Sequence, residues 1–263
     1  MTRTPAALAL PSVGDVLGPG AARAERFALP VGMTGYALIE PGEALPAEQQ
    51  DAVFNALVTV TTASFAADMK GYWAHRRQER YFEHLSEFAV VADERGQMVG
   101  WTGYQTFVAD DFTNVYVDST GMVGADQSRG VMRAVFQERI GRAALAGLVD
   151  SGPVFVSARS ESPVFYKLMR AVVAPGGLFP QASAALPADV LACAQHLAEC
   201  LGQTNILQPG SLVLRNAYAA ILDELYGELP SCGEPELDWL FRSELGPLDA
   251  YLLVGRAGEG SRD

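Results

Sequence analysis

The stretch from Val115 to Met169 leaves the chain little choice of fold. VYVDSTGMV opens it with β-branched and aromatic residues and reads as a strand. The polar turn GADQSRG follows, with a glycine at each end. SRGVMRAVFQERIGRAALAGLVD then reads as one long helix, PVFVSAR as a buried strand, and SPVFYKLMRA as a shorter helix. In the long helix Val131, Met132, Val135, Phe136, Ile140, Ala143, Ala144 and Leu148 follow the spacing of one apolar face. Arg133, Gln137, Glu138 and Arg142 fall largely on the other. Ser128 is the expected N-cap, and Gly152 with Pro153 ends the helix. A strand that stops at a glycine-bearing turn and enters a helix directly presents bare backbone N–H groups. Those groups and the helix dipole favour a negative ligand. An anion, expected to be a pyrophosphate, is therefore placed on the turn from Gly124 to Gly130. The amides of Ser128, Arg129, Gly130, Val131 and Met132 would face it, and Gly130 would let the backbone come close.

The rest of the chain extends this alternation. GYALIEP (35–41) reads as a short strand ending at a proline. Residues 47–66 put Val53, Leu57 and Val60 on one helical face, beside Phe54. Residues 68–85 read as a second helix that gathers Lys70, Arg76, Arg77 and Arg80 with Tyr72, Trp73, Tyr81 and Phe82. Its charges either face water or form a wall for an acceptor or an anionic partner. FAVVAD and QMVGWTGYQTFV form a hairpin signal, so three strands in succession lead into the helix–strand–helix stretch. Beyond it, 174–187 reads as a loop, 188–201 as a helix and SLVLR as a short strand. NAYAAILDELYG and PELDWLFRSEL are expected to be helical, and LDAYLLVGR to be a final buried strand. Residues 1–30, rich in Ala, Gly and Pro, are expected to be a flexible tail.

Composition sets limits on function. The chain has 263 residues, 49% of them hydrophobic, enough for a sizeable core. A net charge of −12 opposes general nucleic-acid binding. No apolar run reaches the about 20 residues that span a bilayer, so no membrane association is expected. Cys193, Cys200 and Cys232 form no close pair, which fits reduced thiols in a cytoplasmic protein. His75, His84 and His196 are scattered, and no metal site is expected. G-x-S-x-G, H-E-x-x-H, P-loop and G-x-G-x-x-G strings are absent.

The strand order and QSRGVM at the strand-to-helix turn resemble the GNAT acyltransferase superfamily. That family uses Q/R-x-x-G-x-G/A to hold the pyrophosphate of an acyl-coenzyme A. Gln127, Arg129 and Gly130 fit the pattern, and Met132 stands where a Gly or Ala is usual. The resemblance covers roughly residues 34–170. It implies an α/β fold with a mixed, mostly antiparallel central sheet flanked by helices, spanning 31–263. Residues 171–247 would form a largely helical C-terminal insertion or extension.

The resemblance also implies a reaction: an acyl group, acetyl above all, passes from acetyl-CoA or another acyl-CoA to the amine of a small molecule. Gly121, Met122 and Val123 would pair with the pantetheine arm and hold the thioester carbonyl through main-chain N–H groups. Tyr166 would be the general acid for the leaving thiolate. Asp118 is a candidate base, as are Glu83 and His84; deprotonation through water is the alternative. Donor binding is thus expected at Met122, Val123, Gln127, Ser128, Arg129, Gly130, Val131 and Met132. Met132 and the basic 68–85 helix keep a second reading open, in which the donor is an aminoacyl-tRNA or an acyl carrier protein in specialised metabolism. A third reading is a non-catalytic relative that binds an acyl ligand. The assembly would be a monomer or a homodimer.

Overall fold

The computed structural model describes residues 9–124, 127, 129–147, 152–222 and 229–258. The chain divides into two units. Unit 1 comprises Met1–Gly103 and Ser119–Val131; unit 2 comprises Tyr104–Asp118 and Met132–Asp263.

Unit 1 begins with helix α1 (Val13–Leu17), capped by Ser12 Oγ, which accepts the Asp15 N–H at 3.1 Å. Strand β1 (Glu25–Ala28) pairs antiparallel with β2 (Thr34–Ile39). This corrects the expectation of a loose tail over these residues. Val13, Val16 and Leu17 are buried, and the Val13 N–H donates to the Gly96 carbonyl at 2.8 Å. Apolar burial outweighs the low helix propensity of the surrounding Gly and Pro residues. Residues 1–8 of the expected tail lie outside the described residues.

Next come α2 (Pro41–Ala44), α3 (Ala47–Phe65), α4 (Lys70–Gln78) and α5 (Tyr81–His84). The helix expected over 68–85 is thus broken. Arg80 adopts a left-handed conformation (φ 57°), and the chain turns there so that Tyr81 and Phe82 are both buried. One continuous helix would have sent some of the aromatic residues into water. Strands β3 (Glu87–Ala92) and β4 (Met98–Val108) follow, giving the order β1-β2-β3-β4. Phe54, Trp73, Tyr81, Phe82 and Phe88 pack as tilted and edge-to-face rings, and all five are buried. The Trp73 indole donates to Thr61 Oγ1 at 3.0 Å.

Strand β5 (Thr113–Met122) enters from unit 2 and ends in unit 1. The helical run then goes from α6 (Val131–Val135) through a π-turn (Phe136–Gly141) into α7 (Arg142–Gly147). The apolar spacing expected here holds, but it gives no sign of the π-turn, which adds one residue to a single turn. Leu148 and Ser128, expected at its two ends, lie outside the described residues.

Unit 2 continues with β6 (Val154–Ser160), α8 (Pro163–Met169), β7 (Val173–Phe179), α9 (Ala188–Cys200), β8 (Leu207–Gln208), β9 (Val213–Leu214), α10 (Pro235–Glu244) and β10 (Ala250–Ala257). β5 lies parallel to β6, and β6 antiparallel to β10. Alternate residues divide between two cores, as the period of two requires. Val115, Val117, Val156, Ala158 and Leu253 pack with Phe136, Ile140, Tyr166, Met169 and Phe241 from the helices on one face. Tyr116, Phe155, Leu252 and Val254 pack with Val190, Cys193, Ala194 and Leu197 of α9 on the other. Covered on both faces, these strands read as nearly unbroken apolar runs.

The C-terminal extension is mixed rather than helical. β7 and β9 both pair antiparallel with β10. β7 contains Pro175, Gly176 and Gly177, so its composition reads as a loop. Its pairing depends on Gly255, where an added Cβ would lie 2.8 Å from Val173 Cγ1.

Candidate functional site

The parallel pairing of β5 and β6 ends early. It runs from Thr113↔Val154 to Val117↔Ala158, yet β5 continues to Met122 and β6 to Ser160. In unit 1 the end of β5 is tied to β4. The Val123 N–H donates to the Val99 carbonyl at 2.8 Å, and Thr120 Oγ1 donates to the Trp101 carbonyl at 3.0 Å. Successive residues of a strand direct their backbone groups to opposite edges. The Val123 amide is therefore engaged within the sheet, and Met122 addresses the other edge. Its carbonyl accepts Gln127 Nε2 at 2.8 Å, so Gln127 braces the turn from inside the motif.

Gly130 has φ 75°, and a Cβ built on it would meet nothing within 4 Å. The glycine is needed for the backbone conformation, and the space beside it is open. Arg129 and Gly130 are exposed, whereas Val131, the first helical residue, is buried. Ser128 lies outside the described residues. Met132 packs against the core of unit 2. Its side chain is partly buried there, which accounts for a large apolar residue at this position.

Within unit 2, the carboxyl ends of the parallel pair carry two acids. Asp118 closes the β5 portion of the unit, and its Oδ2 accepts Gln105 Nε2 at 3.2 Å. Glu161 directly follows β6 and is 5% exposed. Burial pushes its carboxyl up to about 8, and the Asp249 carboxylate adds to the shift. Against the cost of its own burial, Asp249 is held below the usual carboxylate range by the N–H groups of Asn216 and Gly246 and by Arg215. Sequence reasoning passed over Glu161. The available signal was a lone acid between two serines, joining a buried strand to a capped helix.

Tyr166 sits on α8, in the helix expected of it, and is 3% exposed. Its hydroxyl donates to the carbonyls of Leu178 (2.9 Å) and Pro180 (3.0 Å). Burial lifts its pKa to about 12, partly offset by the Arg170 guanidinium above its ring. The phenol proton is thus shared between two carbonyls. Tyr166 also borders a cavity of about 820 Å³, together with Arg170, Leu178, Gln181, Glu234 and Leu240.

The basic residues of α4 and its following turn are largely neutralised. Arg76 pairs with Glu79 (3.1 Å), Arg77 with Asp51, and Arg80 with Glu83 (2.7 Å). Glu83, a candidate base, is therefore in an ion pair. His84 Nε2 lies 3.0 Å from the Glu79 carbonyl. His196 stacks edge-on against Phe112. Among the described residues, no group of three or more His, Cys, Asp or Glu is placed to hold a metal ion. No described helix is long and apolar enough to cross a membrane.

Among the described residues the architecture is a mixed, mostly antiparallel sheet flanked by helices, with a parallel pair, β5 and β6, whose register ends before its strands do. No family model matches the chain, and no curated protein matches it. Among solved structures it is similar to the ribosomal-protein-S18-alanine N-acetyltransferase from Escherichia coli. There the TM-score is 0.42 and identity 11%, covering 87% of this chain and 97% of that one. It is also similar to a GNAT superfamily phosphinothricin acetyltransferase from Sinorhizobium meliloti, solved in complex with AcCoA. That match has a TM-score of 0.41 and 12% identity, covering 89% and 92% of the two chains. A third is described as histone acetyltransferase HPA2 and related acetyltransferase, from Corynebacterium glutamicum. Its TM-score is 0.37 and identity 19%, covering 55% and 87%.

Proposed function

We propose that this protein is an acyltransferase that moves an acyl group from a coenzyme A thioester to an amine. The observation that carries the reading is the end of the parallel register at Val117↔Ala158, with β5 running on to Met122. A strand edge released from its neighbour can accept an extended pantetheine arm, whose amides hydrogen-bond as a further strand would. Ligands of α/β sheets gather at the carboxyl ends of parallel strands.

On this reading the Met122 edge receives the arm. Gln127 supports the turn, and the segment from Arg129 to Val131 faces the pyrophosphate at the start of the helical run to Gly147. Ser128 and Met132 complete the expected set, Met132 through its backbone. An amine acceptor attacks the thioester carbonyl, and main-chain donors hold the developing oxyanion. Asp118, at the carboxyl end of the parallel pair, receives the proton released by the attacking nitrogen. Tyr166 serves as acid only if its proton leaves the Leu178 and Pro180 carbonyls. Met132 packs against the core of unit 2 and the arginines of the basic helix are ion-paired, which supports coenzyme A over an aminoacyl-tRNA or acyl-carrier-protein donor.

Native mass spectrometry with acetyl-, propionyl- and longer acyl-coenzyme A tests the proposal. A one-to-one adduct that releases free coenzyme A when an amine is added supports it. No adduct at millimolar donor rejects it.

A further inference from the structure

The end of β5 carries a feature on its face as well as a free edge. Ser119, Met122 and the segment from Arg129 to Val131 all belong to unit 1. Two buried aromatic side chains of the same unit converge on the Ser119 hydroxyl. Tyr81 Oη lies 2.5 Å from Ser119 Oγ, and the Trp101 indole N–H donates to it at 3.2 Å. Glycines in both strands make room for this. A Cβ on Gly103 of β4 would lie 2.7 Å from Tyr81 Oη, and one on Gly121 of β5 would run into the Trp101 ring. Glycine weakens a strand interior and marks places of close approach. A serine hydroxyl has one donor and two acceptor positions. Trp101 fills one acceptor position, and Tyr81 fills a second position whichever of the two hydroxyls donates. Among the described residues, the third position of Ser119 Oγ is open. Tyr81 and Trp101 are each 1% exposed, whereas Ser119 is half-buried. The open position therefore sits on the member of the trio that a ligand can reach.

Side chains alternate along a strand, so Ser119 and Gly121 share the face that Trp101 covers, and Met122 turns to the other. A pantetheine arm that enters at Met122 from the helix start runs back along β5. Its thioester end then lies toward Ser119, three residues or about 10 Å further in. The surroundings of Ser119 are aromatic. Phe65, half-buried at the end of α3, stands edge-on to Trp101 with ring centroids 6.1 Å apart. The charge packed on this set is a cation, Arg76, at 4.7 Å from the Tyr81 ring centroid. Ser119, Trp101, Tyr81 and Phe65 offer no carboxylate to hold a second ammonium. Resting on the transfer reading above, we infer that the acceptor is a monoamine with an aromatic or other apolar body, and that Ser119 Oγ holds its nitrogen beside the thioester. A hydroxyl hydrogen rotates to suit its partners. With that of Ser119 on Tyr81 Oη, the open position is a lone pair. It accepts an amine N–H and leaves the amine's own lone pair for the acyl carbon. Ser119 orients the nitrogen and transfers no proton, and the apolar body packs against Phe65.

The test uses acetyl-coenzyme A as donor, with 2-phenylethylamine and putrescine as probe amines. Wild-type protein should acetylate 2-phenylethylamine with a kcat/KM about tenfold or more above that for putrescine. Ser119→Ala should raise KM for 2-phenylethylamine about tenfold, the worth of one hydrogen bond. Its kcat should stay within about threefold of wild type, and its affinity for acetyl-coenzyme A within about twofold by calorimetry. A merely structural serine would lower stability without this split. Ser119→Thr, which keeps a hydroxyl, should recover most of the KM. In wild-type protein with coenzyme A bound, 2-phenylethylamine should shift the indole N–H signal of Trp101 in a proton–nitrogen correlation spectrum and leave that of Trp239 in place. A Trp101 signal that does not move overturns the inference, even if no variant folds. So does a wild-type KM in Ser119→Ala, better turnover of putrescine, or bound acetyl-coenzyme A that is not transferred to 2-phenylethylamine. In each of these cases donor binding leaves the transfer reading standing. Wild-type protein that neither binds acetyl-coenzyme A nor releases thiol with either amine overturns both.

Discussion

The turn before α8 and the body of α8 are both buried, yet they treat their acids in opposite ways. Glu161 in the turn and Tyr166 in the helix are 5% and 3% exposed, and burial raises the pKa of each. The difference lies in their partners. The Tyr166 hydroxyl donates to the Leu178 and Pro180 carbonyls, which anchors α8 to the end of β7 and the residue just beyond it. Glu161 makes no side-chain hydrogen bond or ion pair among the described residues. Burial alone does not identify a catalytic acid. An acid that has satisfied its hydrogen bonding serves the fold, and one that has not remains available to a substrate.

The largest effect that separates the two positions is on stability against pH. A folded carboxyl titrating near 8, against 4.5 when unfolded, binds more protons in the native state between those values. Its contribution is therefore fully present below about pH 4.5 and is lost as pH rises to about 8. Denaturant midpoints of Glu161→Gln should lack this decline, and parallel curves for the two proteins would count against a buried neutral Glu161.

Tyr166→Phe should cost about 1–3 kcal/mol, since it removes the hydroxyl that donates to the buried Pro180 carbonyl and leaves the Leu178 carbonyl with Gln181 Nε2 alone among its side-chain donors; urea unfolding reads this directly. Gly130→Val should cost about 1–2 kcal/mol of backbone strain at φ 75° and weaken acetyl-coenzyme A binding by about tenfold. Unchanged donor affinity would remove Gly130 from the proposed site. The smallest effect is at Arg80, which is left-handed and paired only at the surface. Arg80→Gly should raise stability by at most about 1 kcal/mol, because glycine relieves the strain and the exposed Glu83 pair contributes little.

The sequence made the central part of the fold legible. Nearly continuous apolar runs rich in β-branched and aromatic residues marked β5, β6 and β10, and the three- and four-residue spacing marked α3, α9 and the run from Val131. It failed where tertiary contacts override local preference. Val13, Val16 and Leu17 look like part of a disordered tail until their burial is seen, and Pro175-Gly176-Gly177 looks like a loop until Gly255 admits it beside β10. The turn motif at Gln127 and Gly130 was readable because glycine chemistry is local. Glu161 was not, because nothing in the sequence says whether a lone acid finds a partner. For the same reason Tyr166 looked available from its place in the helix, although its hydroxyl is bonded to carbonyls 12 and 14 residues further along the chain.

A crystal structure with coenzyme A bound would test the account most directly. The account predicts the pyrophosphate against the backbone from Arg129 to Val131 and the pantetheine arm along the edge at Met122. A donor bound away from the end of β5 would contradict it.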